Sequence, residues 1–308
     1  MSILSVIIPN YNHSKYLPEC LNAILSQSLQ PSEVLVVDDC STDNSCEIVE
    51  NYKKQYPHVS LIKLTRNSGG PIIPVAIGLK HVKSDYVVLC ASDDLVQPGF
   101  FEESMRCAAE YPKAAICFGN CLYFPDQKTN WLPKQAAPFD GHFREFTPSE
   151  FTKLTKRNKL HIISQACLYK KEILIALGGY DEKLAGYSDY YLNYQIAFRY
   201  PIAYANRLWG SSRIVSYSYG RNLSDEAREK YCTYLLEKIE NEPKEVQRAW
   251  LRSGILLNAG FIMVKQLVFT HKRWKYLPAV TLKCGVIRIA KNIIKKIIRY
   301  KPPQKSDS

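Results

Sequence analysis

Residues 89–101 read LCASDDLVQPGFF, an apolar run that stops at two adjacent aspartates, Asp93 and Asp94, ahead of Pro98 and Gly99. Carboxylates side by side at a buried strand end repel each other and lose hydration, so they need a partner. The sequence leaves three kinds open: a metal ion, a lysine or arginine from elsewhere in the chain, or water. A second pair, Asp38-Asp39, closes the apolar run EVLVV and enters DDCSTDNS. That stretch is rich in turn and cap formers, and Ser41 or Thr42 is placed to cap the next helix. Acids at neighbouring strand ends also suit another chemistry: one accepts hydrogen bonds from a base or ribose, and another holds Mg²⁺ or Mn²⁺ against a diphosphate. Neither a GxGxxG after the first strand nor a P-loop is present, so a glycine cradle for phosphate is not expected and a metal would do that work. Asp189 opens SDYYLNYQ, where an acid reads as a helix cap, a general base, or both.

These residues need elements to hold them. Over the first 125 residues, strand-like LSVIIP, EVLVVDD, VSLIKLT, DYVVLCA and AAICFGN alternate with helical YLPECLNAILSQS, NSCEIVENYKKQY, PVAIGLKHV and PGFFEESMRCAAEY. Nearly all-apolar strands alternating with amphipathic helices predict an α/β fold, a mainly parallel sheet covered on both faces. Ligands bind such sheets beyond the carboxyl ends of the strands, where Asn10-Tyr11-Asn12, Asp38-Asp39 and Ser92-Asp93-Asp94 fall. Residues 126–160 are loop-rich and then helical. IISQACLY reads as a strand, KEILIALGGY as a helix stopped by Gly178-Gly179, and SDYYLNYQIAFRY as a helix.

The net charge of +12 is local: residues 246–306 hold fourteen Lys and Arg with no Asp or Glu, so an anionic partner is expected there. Ten cysteines form no CxxC pair, and CFGNC (Cys117, Cys121) reads as strand rather than zinc half-site. With a strand at the start and no signal peptide, the expectation is reduced thiols in a cytoplasmic protein. None of the six histidines has metal spacing; His13 lies nearest the first strand end, and His142 and His161 lie in or beside the loop-rich stretch 126–160.

SVIIPNYN, VVDDCSTDNS, RNSGG, the SDD of LCASDDL, GGYDEKL and SDYYLNYQIAFRYP, in that order over roughly residues 1–225, resemble the family 2 glycosyltransferases of the GT-A fold. The resemblance implies an inverting transferase that uses a nucleotide sugar, UDP favoured, and Mn²⁺ or Mg²⁺. It places Pro9 and Tyr11 beside the base, Asp39 on the base ring, Gly70 where backbone approaches the nucleotide, and Asp93 on the ribose or sugar side. Asp94 would ligate the metal, and Asp189 would be the general base. Residues 1–225 would form the catalytic domain, and residues 226–308 a helical, basic extension.

The chain departs from the family pattern at Ala91, which stands where an acid often leads the aspartate signature. Pro74-Val75 replaces a common Arg-Asn, Ser188 a common Glu, and Tyr217 and Tyr219 stand where Arg and His are often found. These changes keep a second reading alive, a degenerate GT-A nucleotide-binding module docked on membrane. The QxxRW signature of processive synthases is absent, which favours adding one sugar at a time. In VIRIAKNIIKKIIR, residues 286–299, a helix would separate seven apolar residues from six polar ones, a pattern suited to the interface of an anionic membrane. A packed helix with a solvated basic face is the alternative, whereas nucleic acid needs no continuous apolar face. A glycan acceptor on a lipid carrier at the inner face of the cell membrane would suit that arrangement.

Overall fold

The computed structural model describes residues 3–126, 132–134, 136–157, 159–215 and 224–256. Strand β1 (Leu4–Asn10) is buried along almost its whole length, as a strand covered on both faces must be. After it come α1 (Leu17–Leu25), β2 (Glu33–Asp38), α2 (Ser45–Gln55), β3 (Val59–Lys63), α3 (Ile72–His81) and β4 (Tyr86–Leu89). The four strands run parallel in the order β3-β2-β1-β4, with Asn10 opposite Asp38, so the polar strand ends share one edge of the sheet. Helix α3 returns the chain across this unit, packing on β1 and β2, while α1 and α2 pack together.

The second half of the sheet is mixed. Short β5 (Leu95–Val96) and α4 (Phe100–Glu110) lead to β6 (Ile116–Pro125), β7 (Leu132–Lys134), β8 (Phe143–Phe146) and α5 (Pro148–Lys156). Strand β9 (Cys167–Lys170) lies antiparallel between β4 and β6 and joins the two halves. Helices α6 (Lys171–Ala176) and α7 (Ser188–Ala197) precede β10 (Ile202–Ile214), which pairs in parallel with β6 and antiparallel with β5 and β8. The order across the sheet is β3-β2-β1-β4-β9-β6-β10-β5.

One feature differs from the sequence expectation, and a second lies where the sequence reading made none. IISQACLY is strand only from Cys167; Ser164–Ala166 form a 3₁₀ turn. A β-carbon on Gly210 would lie 2.6 Å from the main-chain oxygen of Gln165, so the glycine lets β10 approach this turn. The thirteen-residue β10 is the second surprise: IAYANRLWGSSRI does not alternate, and its register on β6 shifts between Tyr204 and Gly210.

Helices α8 (Asp225–Glu240) and α9 (Lys244–Ser253) are the described part of the C-terminal region. Trp250 of α9 is fully buried among Tyr190, Tyr191, Tyr194 and Phe198, so this part packs directly on α7. Buried Glu242 accepts from Gln195 Nε2 at 2.9 Å and from the Tyr191 hydroxyl, and pairs with Arg199. No helix among the described residues is long and apolar enough to cross a membrane. The amphipathic segment 286–299 lies outside the described residues, as do Tyr217 and Tyr219.

Candidate active site

The two aspartates at the end of β2 do different work. Asp38 is buried and closes the turn, accepting from Asn10 Nδ2 at 2.7 Å, the Ser41 amide at 2.8 Å and the Ser41 hydroxyl at 2.7 Å. Asp39 receives the Ser68 amide and hydroxyl, each at 2.9 Å, and thereby ties the RNSGG loop to the strand end. Cys40 between them and Ser41 adopts a left-handed φ of +65°. In the loop the left-handed residue is Gly69, φ +86°, and Gly70 follows it; both line the cavity above Asp39.

Asp94 is buried, and its carboxylate accepts from the Arg213 amide at 2.7 Å and the Ser212 hydroxyl at 3.4 Å. Burial first, and the charge of Asp93 next, push the Asp94 carboxyl well above the usual carboxylate range. Among the described residues, the cation bonded to this turn is Arg213, whose side chain is 2% exposed. Its guanidinium donates to the main-chain oxygen of Asp93 at 2.9 Å, pairs with Glu19 at 2.9 Å and Asp126 at 3.5 Å, and lies 4.6 Å from the ring centres of Tyr16 and Phe124. It braces the Asp93-Asp94 turn through the main chain, its guanidinium bonding Asp93 O, Glu19 and Asp126 rather than either carboxylate of the pair.

That donor set fits a divalent cation. A buried carboxylate held by an amide and a hydroxyl, with a second acid next to it, gains most from an added positive charge. Among the described residues no group of three His, Cys, Asp or Glu could hold a metal alone. Mg²⁺-like ions that bridge a protein to phosphates need only one or two carboxylates from the protein, which is what Asp93 and Asp94 offer.

Asp189 stands in the first turn of α7 and is partly buried. Its Oδ2 accepts from the Ser164 hydroxyl at 2.8 Å and its Oδ1 from the Tyr190 amide at 2.7 Å. Desolvation raises its pKa above the ordinary value, although both hydrogen bonds oppose the shift. The helix-cap reading does not describe it: the N-cap position is Tyr187.

Two adjoining cavities gather these residues. The larger, about 680 Å³, is lined by Pro9, Tyr11, Asp39, Gly70, Asp93 and Asp94, with His13 beside them. His13 Nδ1 lies 2.9 Å from the Ser92 hydroxyl. The smaller, about 410 Å³, contains Asp189, Ser164 and Gln165 facing an apolar wall of Pro71, Ile72, Val75 and Leu89. Pro9, Pro71, Ala91, Asp94, Tyr123 and Ser212 line both, so the two adjoin along a shared wall that includes Asp94. Pro9, Tyr11, Asp39, Gly70, Asp93, Asp94 and Asp189 all line this pair of cavities, whereas Asp38 of the second acid pair does not. Arg213 and Ser164 were missed, and nothing in their local sequence distinguishes them from ordinary strand or loop residues; Ser68 lay within the singled-out RNSGG but was given no role. Pro74 and Val75 do reach the site, as an apolar patch on the first turn of α3.

A parallel sheet with acids at its strand ends, closed by a mixed half that carries one further acid to the same place, is the plan of a GT-A glycosyltransferase. The model of the glycosyl transferase family 2 matches residues 5–178, more than half of the chain, and the protein belongs to that family. Among its relatives, the poly(ribitol-phosphate) β-N-acetylglucosaminyltransferase TarS of Staphylococcus aureus is 38% identical over 113 residues, 36% of this chain and 19% of that protein. Glycosyltransferase GlyG of Streptococcus pneumoniae is 33% identical over 129 residues, 42% of each chain. These matches cover well under two thirds of either relative. Among solved structures, S. aureus TarS 1–349 in complex with UDP-GlcNAc aligns over 92% of this chain and 82% of that one, with a TM-score of 0.69 at 20% identity. The mannosyltransferase PcManGT of Pyrobaculum calidifontis, in complex with GDP-Man and Mn²⁺, aligns over 98% and 81% with a TM-score of 0.57 at 17% identity. At those identities the likeness concerns the fold.

Proposed function

We propose that this glycosyltransferase moves one sugar, with inversion, from a UDP-sugar to a hydroxyl of a cell-surface glycan. The observation that carries the reading is the shared wall of the two cavities that includes Asp94, with Asp39 in one and Asp189 in the other. The nucleotide lies in the larger cavity, its base between Pro9, Tyr11 and Asp39, its passage eased by backbone at Gly70, and its ribose or sugar beside Asp93. Asp94 would hold Mn²⁺ or Mg²⁺, which would stabilise the leaving diphosphate. The acceptor hydroxyl enters the smaller cavity, where Asp189 takes its proton as the oxygen attacks the anomeric carbon from the side opposite the diphosphate. Burial makes Asp189 a stronger base than a solvated aspartate. The acceptor is a glycan on a lipid carrier, and the chain works in the cytoplasm at the inner face of the membrane, held there by the basic segment 286–299. The likeness to a transferase named for poly(ribitol-phosphate) supports a polymeric acceptor, and a relative solved with UDP-GlcNAc supports the nucleotide.

Calorimetric titration of UDP, GDP and dTDP, each with and without Mn²⁺, tests the donor side against wild type and Asp94→Asn. The expected outcome is metal-dependent binding of UDP that the substitution abolishes. GDP or dTDP binding in its place would change the donor, and metal-independent binding equal in both proteins would remove Asp94 as the ligand.

A further inference from the structure

Asp189 and Asn193 stand one helical turn apart on α7, so their side chains share a face. Ser164, in the 3₁₀ turn before β9, lies between them. Its Oγ is 2.8 Å from Asp189 Oδ2 and 2.8 Å from Asn193 Nδ2, while Asn193 Oδ1 accepts from the Tyr169 hydroxyl at 2.9 Å. Tyr169 and Asn193 are buried, at 1% and 3% exposure.

The protons in this chain have one consistent arrangement while Asp189 is ionised. The Asn193 amide nitrogen can only donate, so it fills an acceptor site on Ser164. The single hydroxyl proton of Ser164 then points to Asp189. With the amide turned over, Ser164 would donate to Asn193 and present a lone pair to an ionised carboxylate at 2.8 Å, a repulsive contact. The orientation of a buried amide thus sets the direction of a hydrogen bond on the base.

We propose that Ser164 is a positioning residue for the Asp189 carboxylate, held in the donating sense by Asn193 and Tyr169. The inference rests on the reading of Asp189 as the base. Ser164 fixes one carboxylate oxygen and favours the ionised, proton-accepting form. It does so without exchanging a proton with substrate. The same 3₁₀ turn that breaks the expected strand delivers Ser164 to this place.

The test uses full-length protein carrying ¹³C-labelled aspartate, with the Asp189 carboxyl resonance identified by its loss in Asp189→Asn. Ser164→Ala removes the hydrogen bond, Ser164→Thr keeps it, and Asn193→Asp keeps the shape but turns the donor into an acceptor. The Asp189 resonance is expected to titrate at higher pH in Ser164→Ala and Asn193→Asp, and near its original position in Ser164→Thr. With UDP-N-acetylglucosamine as donor and nucleotide release as readout, kcat is expected to fall roughly ten-fold in Ser164→Ala at unchanged donor KM. The acid limb of the pH profile should move upward, since a base that protonates more readily is lost at higher pH. A titration unchanged in Ser164→Ala, in folded protein, overturns the proposal; the rise in Asn193→Asp also contains the repulsion of its added carboxylate and only supports it beside that result. Asp189→Asn turning over as fast as wild type would instead remove the base reading, whatever the titration shows.

Discussion

Replacing Asp189 by Asn keeps the shape of the side chain and removes its basicity. Turnover should fall by ~10²–10⁴-fold, the usual contribution of a positioned general base, with nucleotide binding by calorimetry unchanged. Asp94 gives a prediction with the opposite sign on stability. Its folded pKa is raised, so the folded protein holds a proton more tightly than the unfolded chain does. Its contribution is therefore full below the unfolded value near ~3.9 and is lost as pH rises through the folded value. Above that window the buried charge costs stability, and Asp94→Asn should raise the melting temperature at neutral pH in the absence of metal. Equal melting temperatures would show that the site already neutralises this charge. Asp39, Asp93, Asp94 and Asp189 were legible because each is an acid placed at the end of an apolar strand or the start of a helix. Ser164 and Arg213 were not, because their importance lies in partners far away in sequence, 25 residues for Ser164 and Asp189 and 194 for Arg213 and Glu19.

Strand β10 is the element on which the site depends most. It supplies the Arg213 amide to Asp94, the guanidinium bonded to the main chain of the Asp93-Asp94 turn, and at Gly210 the close approach to the turn that carries Ser164. Arg213→Met should destabilise the protein by ~1–2 kcal/mol in urea unfolding, because the guanidinium is buried while its partners Glu19 and Asp126 stay about a third exposed and partly screened. Arg213→Lys should recover little of this, because a flat guanidinium stacked between Tyr16 and Phe124 has no ammonium equivalent. Gly210→Ala should cost about 1–3 kcal/mol through overpacking against Gln165. The parallel half of the sheet was readable from its unbroken apolar runs. Strand β10 was not, since Asn206, Arg207 and Gly210 interrupt its pattern where the register shifts, and its pairing with β6 rather than local sequence makes it a strand.

At the scale of the whole molecule, charge separates from chemistry. Residues 1–245 hold twenty-seven basic and twenty-eight acidic residues, while the excess of positive charge begins with α9. Membrane attachment through residues 286–299 predicts that the full chain sediments with anionic vesicles, and that Ile294→Asp and raised salt each release it while nucleotide binding persists. Sedimentation with neutral vesicles alone would contradict that reading. The placement of β9 has a further consequence, for the order in which the protein is made. The edge of β4, complete at Leu89, has no partner until Cys167–Lys170 emerge, and β6 waits longer still for β10. At a ribosome's pace of ~5–20 residues per second, that leaves an apolar strand edge open for on the order of ten seconds. During synthesis the nascent N-terminal half is thus a template for β pairing with other chains, and a chaperone's help is needed most in the interval before β9 closes the sheet.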